Sequence, residues 1–131
     1  MPTSPEVVFD KLRKILRKNA GSLSVSTDTA ERFVLSATPG QATVKAWGGK
    51  MKKRAFPVAW VEIGKSYVSF HLMPLYGNPK LAAEMSEALR ARMQGKSCLN
   101  FKTADDALFT ELDALTARGL AGMKRAGFVA E

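Results

Sequence analysis

The chain is poor in the residues that carry most protein chemistry: its 131 residues hold one cysteine, Cys98, and one histidine, His71. A single cysteine forms no intramolecular disulfide and builds no thiolate zinc site. A single histidine excludes a His-rich metal centre and any proton relay between two imidazoles. Apolar runs extend only a few residues, far short of the ~20 a membrane helix needs, so no contact with a membrane is expected. From Met1 the chain passes through Thr3, Ser4 and Pro5 into charged sequence with no apolar leader, and the expected location is the cytoplasm. No repeat, linker or low-complexity tract interrupts residues 1–131, which therefore read as one domain.

What the chain has in excess is positive charge. The net charge is +8, and residues 1–65 hold twelve basic against five acidic side chains while residues 66–131 hold eight against seven. Such asymmetry marks either a surface for anionic partners or a solvated face. The remaining composition, 46% hydrophobic and 24% charged, is that of a globular protein with its own core.

The apolar rhythm changes twice. Ser4 caps a helix with Pro5 at its first position, where the missing N–H costs nothing. Val8, Leu12, Ile15 and Leu16 then form one stripe, opposite Lys11, Arg13, Lys14, Arg17 and Lys18, and Asn19-Ala20-Gly21 stops the helix. From Leu23 to Met73 the period is two. Strands are predicted around Leu23–Thr27, at Arg32–Ala37, at Ala42–Trp47, and as a hairpin of Phe56–Ile63 and Tyr67–Met73 turned at Gly64-Lys65-Ser66. In the last of these, Val68, Phe70 and Leu72 share one face while Tyr67, Ser69, His71 and Met73 share the other. Pro74 to Pro79 reads as a loop. Leu81, Met85, Leu89 and Met93 recur every four residues, as two helical pieces broken near Ser86 and ended by Gln94-Gly95. Ser97–Phe101 is one more strand. Thr103 with Asp106 resembles a capping box for a helix bearing Leu108, Leu112 and Leu115, followed by Gly119 and a final turn. The expected fold is α+β: an N-terminal helix, an antiparallel sheet of about five strands, and C-terminal helices packed on one face.

Four groups of residues are candidates for function. The loop carrying Lys50, Lys52, Lys53 and Arg54 follows Trp47 and two glycines, a composition that suits phosphate contacts and base stacking but equally a solvated hairpin tip. His71 reads as a site residue or, more simply, as a half-buried histidine on a polar sheet face. Cys98 lies between Lys96 and Lys102, which would favour its thiolate, although most lone cysteines are inert packing residues. His71, Tyr76, Cys98 and Asn100 crowd the segments that could line a polar pocket. Gly64-Lys65-Ser66 and Gly95-Lys96-Ser97 end like a phosphate-binding loop, but Ala59 and Arg90 occupy the position of its first glycine. Asp105 and Asp106 suit a helix N-terminus and need no catalytic explanation. No cofactor motif appears and no catalytic residue is assigned.

Two stretches, Tyr67-Val68-Ser69-Phe70-His71-Leu72-Met73-Pro74-Leu75-Tyr76 and Arg92-Met93-Gln94-Gly95-Lys96-Ser97-Cys98-Leu99-Asn100-Phe101-Lys102, resemble the bacterial YdhG-like family of unknown function. The helix around Leu108, Phe109, Glu111 and Leu112 continues the likeness. It implies a small α+β fold of helices on an antiparallel sheet, likened in some members to frataxin, for which an iron-chaperone role has been proposed. A frataxin-type iron surface relies on acidic residues along the first helix, whereas this helix holds five basic side chains against Glu6 and Asp10. The fold carries over; the iron does not, because a basic surface repels Fe²⁺.

Three functions follow as expectations. The first is a binding module for an anionic partner, a phosphorylated small molecule or a nucleic acid, using the basic half, the glycine-basic loop and the aromatics Trp47 and Trp60, with Lys96 as a looser anion contact. The second is a small-molecule pocket or enzyme built on His71 and Cys98. The third is an interaction protein that forms a homodimer through sheet edges.

Overall fold

The computed structural model describes residues 4–21, 23–37, 56–77, 79–95 and 97–125. Helix α1 spans Pro5–Lys18 and begins as its sequence dictates, the Ser4 side chain accepting a hydrogen bond from the Val7 N–H. Its apolar stripe, Val8, Phe9, Leu12, Ile15 and Leu16, is buried almost completely. Asn19 closes the helix, its side-chain amide donating to the Ile15 carbonyl, and Gly21 takes the positive φ (54°) that turns the chain toward the sheet.

Six strands follow among the described residues: β1 Ser24–Asp28, β2 Arg32–Ala37, β3 Phe56–Ile63, β4 Val68–Leu72, β5 Met93–Gln94 and β6 Cys98–Phe101. They form one antiparallel sheet in the order β1-β2-β3-β4-β6-β5. The α+β class and the helices on one face are as the sequence indicates. The additional strand is β5, and the expected strand Ala42–Trp47 lies outside the described residues.

Alternation then sorts the side chains. Phe33, Leu35, Val61, Val68, Phe70, Leu72, Leu99 and Phe101 point to the inner face and join the α1 stripe in one core cluster. Helices α2 (Pro74–Gly77), α3 (Pro79–Ala83), α4 (Glu87–Arg90) and α5 (Asp106–Arg125) add Leu75, Leu81, Leu89, Leu112 and Leu115 to the same cluster. Phe109 meets Phe101 edge to face, with ring centroids 5.1 Å apart.

Four local expectations are corrected. The segment from Pro74 is helical, because each proline sits at a first helical position where its missing N–H is harmless. Met93 does not extend the helical pieces: it pairs with Leu99 in β5, since its side chain reaches the sheet core that the end of α4 would leave open. The last helix begins at Asp106, with Asp105 rather than Thr103 accepting from the Leu108 N–H at 3.2 Å. It also runs straight through Gly119, where close packing takes the place of a stop.

Candidate functional site

The outer face of the sheet collects the polar members of each strand. Registered pairs run across it in two rows: Val34, Trp60, His71 and Cys98, then Gln94; and beside them Arg32, Glu62, Ser69 and Asn100. His71 and Cys98 are cross-strand partners, and Asn100 stands one pair further along. Thus three sequence candidates converge. Trp47, Lys50, Lys52, Lys53, Arg54 and Lys96 lie outside the described residues, as does the side chain of Tyr76, whose backbone belongs to α2.

A continuous polar chain links these rows. Arg32 Nε lies 3.8 Å from Glu62, and Glu62 lies 3.6 Å from His71 Nε2. The same nitrogen is 3.8 Å from Cys98 Sγ. The thiol donates to Asn100 Oδ1 at 3.5 Å, and that oxygen also accepts from Ser69 Oγ at 3.0 Å. Asn100 Nδ2 donates to Gln94 Oε1, which also accepts from the Tyr67 hydroxyl at 3.5 Å. The Trp60 ring stacks on His71, with centroids 4.6 Å apart and planes inclined by 14°.

The geometry does not suit nucleophilic catalysis. A thiol–imidazole–carboxylate relay needs the two ring nitrogens to serve different partners, one activating the nucleophile and the other held by the acid. Here Glu62 and Cys98 both face Nε2. Burial lowers the His71 pKa from its ordinary 6.5, Glu62 opposing and Arg32 assisting, so the ring stays neutral near pH 7. Burial likewise pushes the Cys98 thiol above its ordinary 9.0 despite a hydrogen bond with Ser69. The thiolate expected from neighbouring lysines is therefore corrected: burial, with Glu62 assisting, favours the protonated thiol. Ser69, two residues from His71 on one face, bonds Asn100 instead of the imidazole.

Beyond Asn100 the face opens into a surface pocket of about 260 Å³, lined by Tyr67, Ala91, Arg92, Met93, Gln94, Asn100 and Lys102. Strand β5 positions Arg92 and Gln94 beside β6; the Asn100 N–H donates to the Arg92 carbonyl at 2.9 Å, fixing the edge. Lys102 follows Asn100 at the two-residue spacing that keeps it on the outer face. No carboxylate stands among these lining residues, and among the described residues neither Arg92 nor Lys102 has an acidic partner.

The basic face of α1 is different. Lys11 pairs with Asp106, Arg13 and Lys14 with Asp10, Arg13 and Arg17 with Asp28, and Lys18 with Asp113. Its charge is largely matched by the protein's own acids. Arg92, Gln94 and Lys102 were missing from the sequence candidates because the four-residue rhythm of Leu81–Met93 hides β5. The step from Asn100 to Lys102 was the one signal that pointed there.

Among the described residues, no group of three or more His, Cys, Asp and Glu is placed to hold a metal ion, and no helix is long and apolar enough to cross a membrane. Compared with family models, curated proteins and solved structures, the chain matches none.

Proposed function

We propose that the protein is a binding module for a small anionic ligand, held in the pocket between Tyr67, β5 and the end of β6. One observation carries this reading: Arg92 and Lys102, cations without acidic partners among the described residues, line one pocket whose other polar groups are hydrogen-bonding side chains without negative charge. A guanidinium and an ammonium recognise oxyanions through charge-assisted hydrogen bonds. A pocket near 260 Å³ lies below the usual size for drug-like ligands and suits a phosphate, sulfate or short organic acid. On this reading the ligand lies beside the His71–Cys98 pair, which stands behind Asn100 outside the pocket lining and supplies no nucleophile. The iron-chaperone role implied by the YdhG-like resemblance finds less support, since Fe²⁺ prefers carboxylate and imidazole ligands and the pocket lining has neither.

Calorimetric titration of the full chain with glycerol phosphate and with sulfate tests the proposal. Arg92→Ala and Lys102→Ala should each weaken binding by about tenfold or more, the value of a hydrogen bond to a charged group. Replacing Lys50, Lys52, Lys53 and Arg54 together should change affinity by less than about threefold, through the general field alone. The opposite pattern, with the loop variant losing binding and the pocket variants keeping it, would move the site to the basic loop and defeat this reading.

A further inference from the structure

The pocket's amides are not free to face either way. Asn100 Oδ1 is occupied by Ser69 Oγ at 3.0 Å and by the Cys98 thiol at 3.5 Å, so its amide nitrogen points toward Gln94. Gln94 Oε1 in turn takes the Asn100 amide and the Tyr67 hydroxyl. Both amide oxygens are thus occupied. What remains for the pocket is the Gln94 amide nitrogen, the Arg92 guanidinium and the Lys102 ammonium, all of them donors, beside the Tyr67 hydroxyl, whose proton goes to Gln94 and whose oxygen can still accept.

A site in which donors and cations dominate favours an oxyanion that accepts on every oxygen. An oxyanion that still carries a proton turns one oxygen into a donor, and that donor meets no side-chain carboxylate or amide oxygen here. Two formal positive charges match two negative ones. Building on the anion-binding reading, we infer that the pocket prefers a proton-free dianion, of the phosphomonoester or sulfate class, over the protonated monoanion. Ser69 and Cys98 act as positioning residues: they reach the ligand only through the orientation they impose on Asn100 and Gln94. Flipping both amides would turn Gln94 Oε1 outward but set the Asn100 amide nitrogen against the Cys98 thiol and Ser69 hydroxyl. Donation from the protonated thiol disfavours it.

The test is the pH profile of binding. A phosphomonoester has a second pKa of about 6, so its dianion falls about tenfold between pH 7.5 and pH 5, and affinity for glycerol phosphate should fall with it. Sulfate carries no proton in this range and its affinity should change by less than about twofold. Sulfate also controls for titration of the protein. Its outer-face groups, Arg32 on β2, Glu62 on β3, Tyr67 and His71 beside or on β4, Arg92 next to β5, and Cys98 and Lys102 at β6, act on both ligands alike. Ser69→Ala, which frees Asn100 Oδ1 and lets the amide pair reverse, should flatten the glycerol phosphate profile to less than about threefold while the melting temperature shows the fold intact. An oligonucleotide should bind only through a terminal phosphate, because a phosphodiester carries one charge. A flat profile in the parent protein, or preference for the phosphodiester over the monoester, would overturn the inference while leaving an anion pocket in place. Absence of binding by both anions would remove the pocket and the inference together.

Discussion

At the residue scale, His71 shows how burial overrides a neighbouring charge, and Cys98 how it outweighs a hydrogen bond. The imidazole has a carboxylate within 3.6 Å, which alone would raise its pKa, yet desolvation against Trp60 and the sheet wins. The sign of the consequence follows. Below pH 6.5 the unfolded chain takes up a proton that the folded ring resists, so stability falls as pH drops through 6.5 and is fully retained above it. Chemical denaturation at a series of pH values should show this slope above the range where carboxylates titrate, and His71→Gln should remove it. Cys98 behaves in the opposite sense: the folded thiol holds its proton longer than the unfolded one, so its share of stability is lost as pH rises past 9.0. Iodoacetamide should alkylate Cys98 more slowly in the native protein than in denaturant. Faster native labelling would show a thiolate and refute the donor role assigned to it.

At the scale of elements, two glycines in one helix separate local propensity from packing. A Cβ at Gly119 would stand 3.0 Å from Pro74 Cβ and 3.1 Å from Leu81 Cδ2, so α5 presses there on α2 and α3. A Cβ at Gly122 meets nothing within 4 Å. Glycine inside a helix costs about 0.5–1 kcal/mol relative to alanine. Gly122→Ala should therefore raise stability by about that amount in thermal or urea unfolding. Gly119→Ala should lower it, because the rigid proline ring cannot retreat as a long side chain would. The same contact explains why a glycine that reads as a helix stop lies within the helix. Conversely, Ser86 does break the preceding helical rhythm as read from sequence, since its hydroxyl caps α4 and is itself held by Glu111 from α5. Glycine and serine are the same local signals in both places; only the neighbour across the core distinguishes stop from passage.

At the scale of the whole molecule, the +8 charge is not a uniform field. The α1 cations lean on acids contributed by α1 itself, β1 and α5, which are exposed pairs worth about 0–1 kcal/mol each. Asp113 illustrates the coupling: burial raises its carboxyl, but hydrogen bonds from Lys18 and Asn19 outweigh this and leave it below 3.8. Asp10 is likewise held down, first by its bond from Arg13. Their contribution is present above pH 3.8 and is lost as pH falls through the depressed values, so acid should loosen the junction of α1 with α5 and β1. For retention on a phosphate-bearing resin, Lys14→Ala on α1 should matter less than Lys102→Ala, a difference that salt-gradient elution measures directly. Equal losses would mean that total charge, and not the pocket, decides anion affinity.

The alternation of Tyr67–Met73 and Ser97–Phe101 settled by itself which residues share the outer face, and the stripe of α1 settled which face of that helix meets the core, because period two and period 3.6 each fix side-chain direction along one element. That His71, Cys98 and Asn100 lie on one such face was therefore legible. Tertiary structure alone decided that β6 pairs with β4 and β5 lies outside β6, and this register brings Arg92 and Lys102 into one pocket while consuming the acceptors of Asn100 and Gln94. Strand order and the fate of each lone pair depend on contacts between segments distant in sequence, where no periodicity reaches.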